Sequence, residues 1–175
     1  MERVLLGVCK GVSVMTAQLA YCILEGLKRW ENRVFKMATG WYYLQVSDSI
    51  PKKQPRKHTQ AHNRWLTHAH HITNMSEISS KLGFRIPEES SLEHYLGNIV
   101  GLFHVKESRS VDKCGNSVWA TGPVCNLIDR TIKLIEPIKQ RGWPGVWVVK
   151  DGTQKRISNK IRKDISKLKL KINNV

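Results

Sequence analysis

Gly26-Leu27-Lys28-Arg29-Trp30-Glu31-Asn32-Arg33 sets a cation, a carboxylate and a second cation at spacings of three and two, directly after a glycine and shortly before an aromatic run. The residues ahead of it recur on one helical face: Met15, Leu19, Cys22 and Ile23 stand at i, i+4, i+7 and i+8. The spacing predicts a helix over about residues 14 to 25, started near Ser13 or Thr16 and stopped by Gly26. Lys28, Glu31 and Arg33 then lie just past the helix end. Lys28 and Arg33 suit anionic or carbonyl oxygens, while Glu31 can orient them, accept a hydrogen bond from a ligand amino group, or move a proton. The competing reading is a local surface ion pair, which is weak in water.

Outward from this octet the pattern becomes β. Trp41-Tyr42-Tyr43-Leu44-Gln45-Val46 reads as a strand entered through a turn at Gly40. Trp41 or Tyr43 is a candidate stacking wall for a planar base beside the Lys28 cluster, although a strand tryptophan serves equally as core, and so does Trp30. Val4 to Val8 is apolar enough for a first buried strand. Residues 98 to 105, 118 to 126, 131 to 136 and 145 to 150 are short apolar or alternating runs separated by Gly115-Asn116, Gly122-Pro123 and Gly142-Trp143-Pro144-Gly145. Short strands with such turns predict a closed barrel, which would leave no exposed edge.

Three blocks in order carry a resemblance. Gly-x-Lys-x-x-Glu-x-Arg over residues 26 to 33 resembles the signature of the ASCH domain, a small β-barrel similar to the PUA domains of RNA-modifying proteins. Trp119-Ala120-Thr121-Gly122-Pro123-Val124-Cys125 resembles the tryptophan-containing strand entry late in that domain, and Pro137 to Trp147 its closing turn and strand. With Asn98 to Val105 as the central strand, the likeness spans about residues 4 to 150. It implies an α+β fold: a PUA-like barrel over residues 1 to 150, with residues 47 to 97 as a basic, histidine-rich insertion of loops and short helices, and a basic helix or tail over 151 to 175.

Composition adds a partner class. A chain of 175 residues is large enough to bury a core without disulfides or metals. Its 29 Lys+Arg against 14 Asp+Glu give +15, a balance that attracts polyanions. The excess is clustered: residues 51 to 71 hold five basic and no acidic side chains, and residues 150 to 175 hold nine basic and two acidic. Lys52, Lys53, Arg56, Lys57, Arg141, Lys163, Lys167, Lys169 and Lys171 are the candidate phosphate contacts. Cys9, Cys22, Cys114 and Cys125 are too few and too scattered for a disulfide framework and read as reduced thiols. The opening run of six apolar residues, broken by Lys10, is neither a signal peptide nor a span, so a cytoplasmic or nuclear location is expected.

Pro51 to His58, with two prolines and four cations, predicts an extended loop. Asn63 to Ile72 and Ile78 to Leu82 read as two short helices, the second ending at Gly83, and Glu88 to Tyr95 as a short turn capped near Ser90 or Ser91. Five of the seven histidines, His58, His62, His68, His70 and His71, fall in this stretch. His58 and His62 share one face of a helix, yet no carboxylate or cysteine lies between residues 51 and 73, so no metal is expected and the imidazoles read as added charge toward a polyanion when protonated. No cofactor is expected either. In the tail, Ile157, Ile161, Ile165, Leu168 and Ile172 form a stripe at steps of four, four, three and four, which predicts a helix over 154 to 174 lying on the barrel. A membrane-surface helix and a basic tail that orders on RNA are the alternatives.

The resemblance implies binding of RNA or nucleotides at Lys28, Glu31, Arg33 and Trp41, with single-stranded DNA a second possibility. It also implies an alternative, since one bacterial branch of the family is an amidohydrolase acting on N4-acetylcytidine and another is reported to cleave RNA. In the amidohydrolases the motif lysine is catalytic and a threonine stands three positions after it. Here Lys28 matches and Glu31 takes the threonine position, so Lys28 and Glu31 are the catalytic candidates for an enzyme, with Glu107 and Asp129 as unmatched carboxylates. A protein-interaction adaptor is the third class, its partner open.

Overall fold

A computed structural model describes residues 8 to 48, 54 to 166 and 172 to 174. The fold is α+β, built on one mixed sheet curled into a half barrel. In chain order the strands are β1 (Lys10–Val14), β2 (Trp30–Arg33), β3 (Gly40–Val46), β4 (Asn98–Ser110), β5 (Val124–Lys139), β6 (Val146–Val148) and β7 (Ile172–Asn174). The helices are α1 (Ala17–Leu24), α2 (Gln60–Leu82) and α3 (Asp151–Ser166). Across the sheet the order is β2-β5-β4-β3-β1-β6, with β7 adding to β5; β1 runs parallel to β3 and every other pairing is antiparallel.

The curl follows from one hydrogen bond. Four strand spacings separate β2 from β1, which is about 19 Å in a flat sheet. Yet Arg33 on β2 donates from Nη2 to the carbonyl of Ser13 on β1 at 3.0 Å, so the two strands face each other across a concavity. Register shifts in the β4–β5 ladder between Ile99 and Gly101, His104 and Val105, and Val105 and Glu107 let these long strands bend.

Helix α1 fills the hollow. Thr16 caps it through Oγ1, and the Glu89 carboxylate accepts from the Ala17 and Gln18 amides at 2.9 and 3.2 Å, so its first free N–H groups are satisfied. Ala17, Ala20, Ile23 and Leu24 pack with Val12, Leu44, Val46, Phe103 and Val105 in the concave core. The convex face carries the alternate residues Tyr43, Ile99 and Leu102, joined by Trp147 and by Ile157 and Ile161 of α3. A third cluster, with Cys22, Trp30, Met75, Ile86, Trp119 and Cys125, fastens α2 to the β2–β5 edge.

Several expectations are corrected. The sheet is not a hydrogen-bonded closed barrel: among the described residues its edges β2 and β6 do not pair. The region from 47 to 97 is dominated by one 23-residue helix, α2, rather than by two short ones. No glycine or proline interrupts residues 60 to 82, Thr59 caps the start, and Gly83, at a φ of 62°, ends the helix in the left-handed conformation that glycine adopts without a Cβ clash. The following 3-10 turn over Glu89–Tyr95 is entered at Glu88 without a side-chain cap, not at Ser90 or Ser91. The runs at 118 to 126 and 131 to 136 are not separate strands, because β5 is continuous over 16 residues and Trp119 lies in the turn before it. The first described strand begins at Lys10; of the strand expected over Val4 to Val8, residues 4 to 7 lie outside the described residues and Val8 precedes β1.

The tail divides as well. Helix α3 is described as far as Ser166, and Ile172 opens a strand whose backbone pairs with Ile132, so the single helix expected over 154 to 174 does not run through that stretch. The reason is local: β2 reaches only as far as Leu127 along β5, so the β5 edge at 130 to 132 offers free backbone groups for pairing. Leu168 lies outside the described residues. Ile157 and Ile161 are 0% and 1% exposed. Ile161→Ala should therefore cost about 2–5 kcal/mol of unfolding free energy in a urea titration, as for other buried truncations; a change below about 0.5 kcal/mol would mean that α3 is not part of the core.

Candidate functional site

Gly26, at a φ of 75°, turns the chain out of α1, and the amides of Leu27 and Lys28 both donate to the Cys22 carbonyl at 2.9 Å. That turn aims Lys28 back across the start of β2. Its Nζ donates to the Trp30 carbonyl and, at 2.8 Å, to Glu31 Oε2. Arg33 Nη2 meets the other carboxylate oxygen, Oε1, at 2.7 Å, and the same nitrogen reaches Ser13. Lys28, Glu31 and Arg33 side chains are 4%, 8% and 18% exposed, so the reading of a surface pair is overturned.

Neighbouring amides hold β2 in place. Asn126 Nδ2 donates to the Glu31 carbonyl at 3.0 Å, while its Oδ1 accepts from the Met37 amide and Ser108 Oγ. Asn32 does the same for the loop before β5: its Nδ2 donates to the Trp119 carbonyl at 2.8 Å and its Oδ1 accepts from the Thr121 and Gly122 amides at 3.2 and 3.1 Å. The indole of Trp119 is thereby set beside the triad, its ring centroid 5.9 Å from Lys28 Nζ.

Lys28, Glu31, Asn32, Arg33 and Trp119 line a cavity of about 590 Å³. Ser13, Val14 and Met15 form one wall, Val118, Trp119 and Thr121 another, and Asn74, Ile78 and Lys81 of α2 a third. Two cations against one carboxylate leave its floor net positive. Two buried donors bordering it, Arg33 Nε and Trp119 Nε1, have no hydrogen-bond partner among the described residues. Burial alone would push the Glu31 carboxyl up, but the charges of Lys28 and Arg33 and their hydrogen bonds outweigh it and hold it below the usual carboxylate range. Glu31 is thus ionised near neutral pH, with both oxygens occupied by cations. Cys22, the thiol nearest this turn, is pushed up to about 12 by burial, with Lys28 pulling the other way, so it carries no thiolate at neutral pH.

Of the residues singled out from sequence, Lys28, Glu31 and Arg33 are brought together and Trp41 is not. Trp41 sits on the far side of β3, tilted 60° to the His104 ring at 5.3 Å, with Arg130 5.3 Å from its centroid, and it borders a separate depression with Val8, Cys9 and Lys10. Strand alternation explains this: Tyr42, Leu44 and Val46 face the hollow, and the odd-numbered Trp41 and Tyr43 face away. The aromatic wall is Trp119. Arg56 and Lys57 are exposed in the turn before α2, and Arg141 is exposed beside an adjoining cavity. Lys163 borders a groove with Lys139, Arg156 and Lys160, away from the triad. Lys52, Lys53, Lys167, Lys169 and Lys171 lie outside the described residues. Glu107 pairs with Arg109 at 2.6 Å and Asp129 with His104 at 2.6 Å, and neither lines the cavity.

Sequence reasoning missed Asn32, which lies inside the octet, and the α2 wall, for which the sequence carries no local signal. Because the Glu31 carboxyl titrates below its ordinary value of 4.5, its contribution to stability is full above that pH and is lost as pH falls through the folded value. Glu31→Gln should remove about 3–5 kcal/mol at neutral pH, as when one partner of a buried pair is removed. The gap to the parent should narrow in denaturant titrations run toward pH 2; a gap that does not change with pH would refute the charged triad.

No family model matches the chain, and no curated protein matches it either.

Proposed function

We propose that the cavity binds a nucleotide, presented free or within single-stranded RNA, and that the chain is an ASCH-type, PUA-like module. One observation carries this reading. The cavity floor combines a net positive triad, two buried donors on Arg33 and Trp119 with no partner among the described residues, and an indole wall. Phosphate or carbonyl oxygens satisfy the donors, and a planar base stacks on or against an indole. The overall charge of +15 supplies the long-range attraction that a polyanion needs. A location in the cytoplasm or nucleus accords with four free cysteines. No helix among the described residues is long and apolar enough to cross a membrane.

The same geometry weighs against an RNA-processing enzyme that moves a proton through Glu31. A carboxylate held ionised by two cations is a poor acid, and its oxygens are already committed. Arg33→Ala should weaken binding of a nucleoside monophosphate by about 1–3 kcal/mol in titration calorimetry. Its thermal transition must be checked alongside, since Arg33 also joins β2 to β1. Unchanged affinity in a folded Arg33→Ala protein would remove the cavity as the binding site. Turnover of N4-acetylcytidine or RNA that disappears in Lys28→Ala would favour the enzyme.

Affinity for single-stranded RNA should fall steeply with salt, the logarithmic slope steepening by about 0.7 for each phosphate neutralised. A flat salt dependence would argue against nucleic acid.

A further inference from the structure

We infer that the cleft is two nucleotides long, with a second base subsite formed by Gln45, Arg141 and Trp143. This rests on the nucleotide reading of the first cavity. A cavity of about 310 Å³ lies next to that one, and Ser13, Val14 and Met15 line both, so the two meet along the end of β1.

Three observations give the second cavity the character of a base site. Gln45 is 1% exposed and lines it. Its Nε2 donates to the Val46 carbonyl at 2.6 Å and the Gln140 carbonyl at 3.2 Å, so the amide orientation is fixed by two acceptors, and Oε1 is left without a partner among the described residues. A buried acceptor of this kind calls for an N–H or O–H donor from a ligand. Trp143 is the second observation. Held in the Gly142-Trp143-Pro144-Gly145 turn, it is 42% exposed, with its ring set edge-on to Trp147 at 5.4 Å. Trp147 is anchored in turn by its Nε1 donating to Ser13 Oγ at 3.2 Å. An exposed indole with a buttressed edge is a stacking platform.

The third is the placement of charge. Arg33 lies on one side of the Ser13–Met15 segment and Arg141 on the other, which suits the phosphate joining two nucleotides. Asp48, which also lines this cavity, is paired with Lys139 at 3.4 Å. The second subsite therefore takes a base, its N–H edge on Gln45 Oε1 and its face on Trp143.

The test uses the full chain, the four ribonucleoside 5′-monophosphates, matching ribodinucleotides, and dinucleotides with either residue abasic. Dinucleotides should bind more tightly than monophosphates, and one of the two abasic forms should fall back to monophosphate affinity. Trp143→Ala should lower dinucleotide affinity by about 5- to 150-fold, the loss expected for one base–aromatic stack. It should leave monophosphate affinity unchanged, and Trp143→Phe should restore most of the loss. Dinucleotides that bind no more tightly than monophosphates, or a Trp143→Ala protein with parental dinucleotide affinity, would overturn the second subsite while leaving the first intact. Loss of all nucleotide binding, or monophosphate binding indifferent to Arg33→Ala, would overturn the first reading and this one with it.

Discussion

Three charges held out of water set the shape of this protein. Lys28, Glu31 and Arg33 carry two positive charges and one negative into the mouth of a curled sheet, where desolvation is costly unless each proton and lone pair finds a partner. The partners come from different parts of the chain: the Trp30 carbonyl, the Ser13 carbonyl and the two oxygens of Glu31 itself. Arg33 is the central member, because a single guanidinium both neutralises Glu31 and ties β2 to β1 across the concavity. Among the described residues backbone pairing leaves the β2 edge open, and a side chain does the bridging.

An open sheet bridged in this way leaves room that a fully hydrogen-bonded barrel would not. The gap between β2 and β1 is where the cavity lies, and its other surfaces are supplied by parts added around the sheet: the loop before β5, held by Asn32, and one face of α2. Electrostatics and geometry converge there. The same arginine that closes the curl contributes to the cavity an Nε with no partner among the described residues, so the interaction that maintains the fold and the group offered to a ligand belong to one side chain.

Much of this was legible in the residues, and what was hidden has physical causes. Helix α1 and the octet after it were readable because the signals are local: a threonine cap, an apolar face at helical spacing, and a glycine at the point where the chain must take positive φ. The continuity of β5 was hidden because Asp129, Arg130 and Pro137 break its apolar pattern. Helix α2 was under-read because Met75 is the buried apolar side chain among its described residues and its sequence shows almost no apolar stripe. The charged half of the site was within eight consecutive residues. Its aromatic half was not, since Trp119 is brought in by a contact between residues 87 apart in sequence.

That separation has a consequence for how the molecule comes into being. β2 has no described strand partner until Val124 to Leu127 exist, and β1 receives β6 only with Val146 to Val148. A ribosome extending the chain from its N-terminus therefore exposes Lys28, Glu31 and Arg33 to water for most of synthesis, as an ordinary hydrated charge cluster. Ladders of such long sequence separation close slowly, after the local helices have formed. The cleft is thus a late product of folding, absent from any intermediate in which β5 has not yet docked.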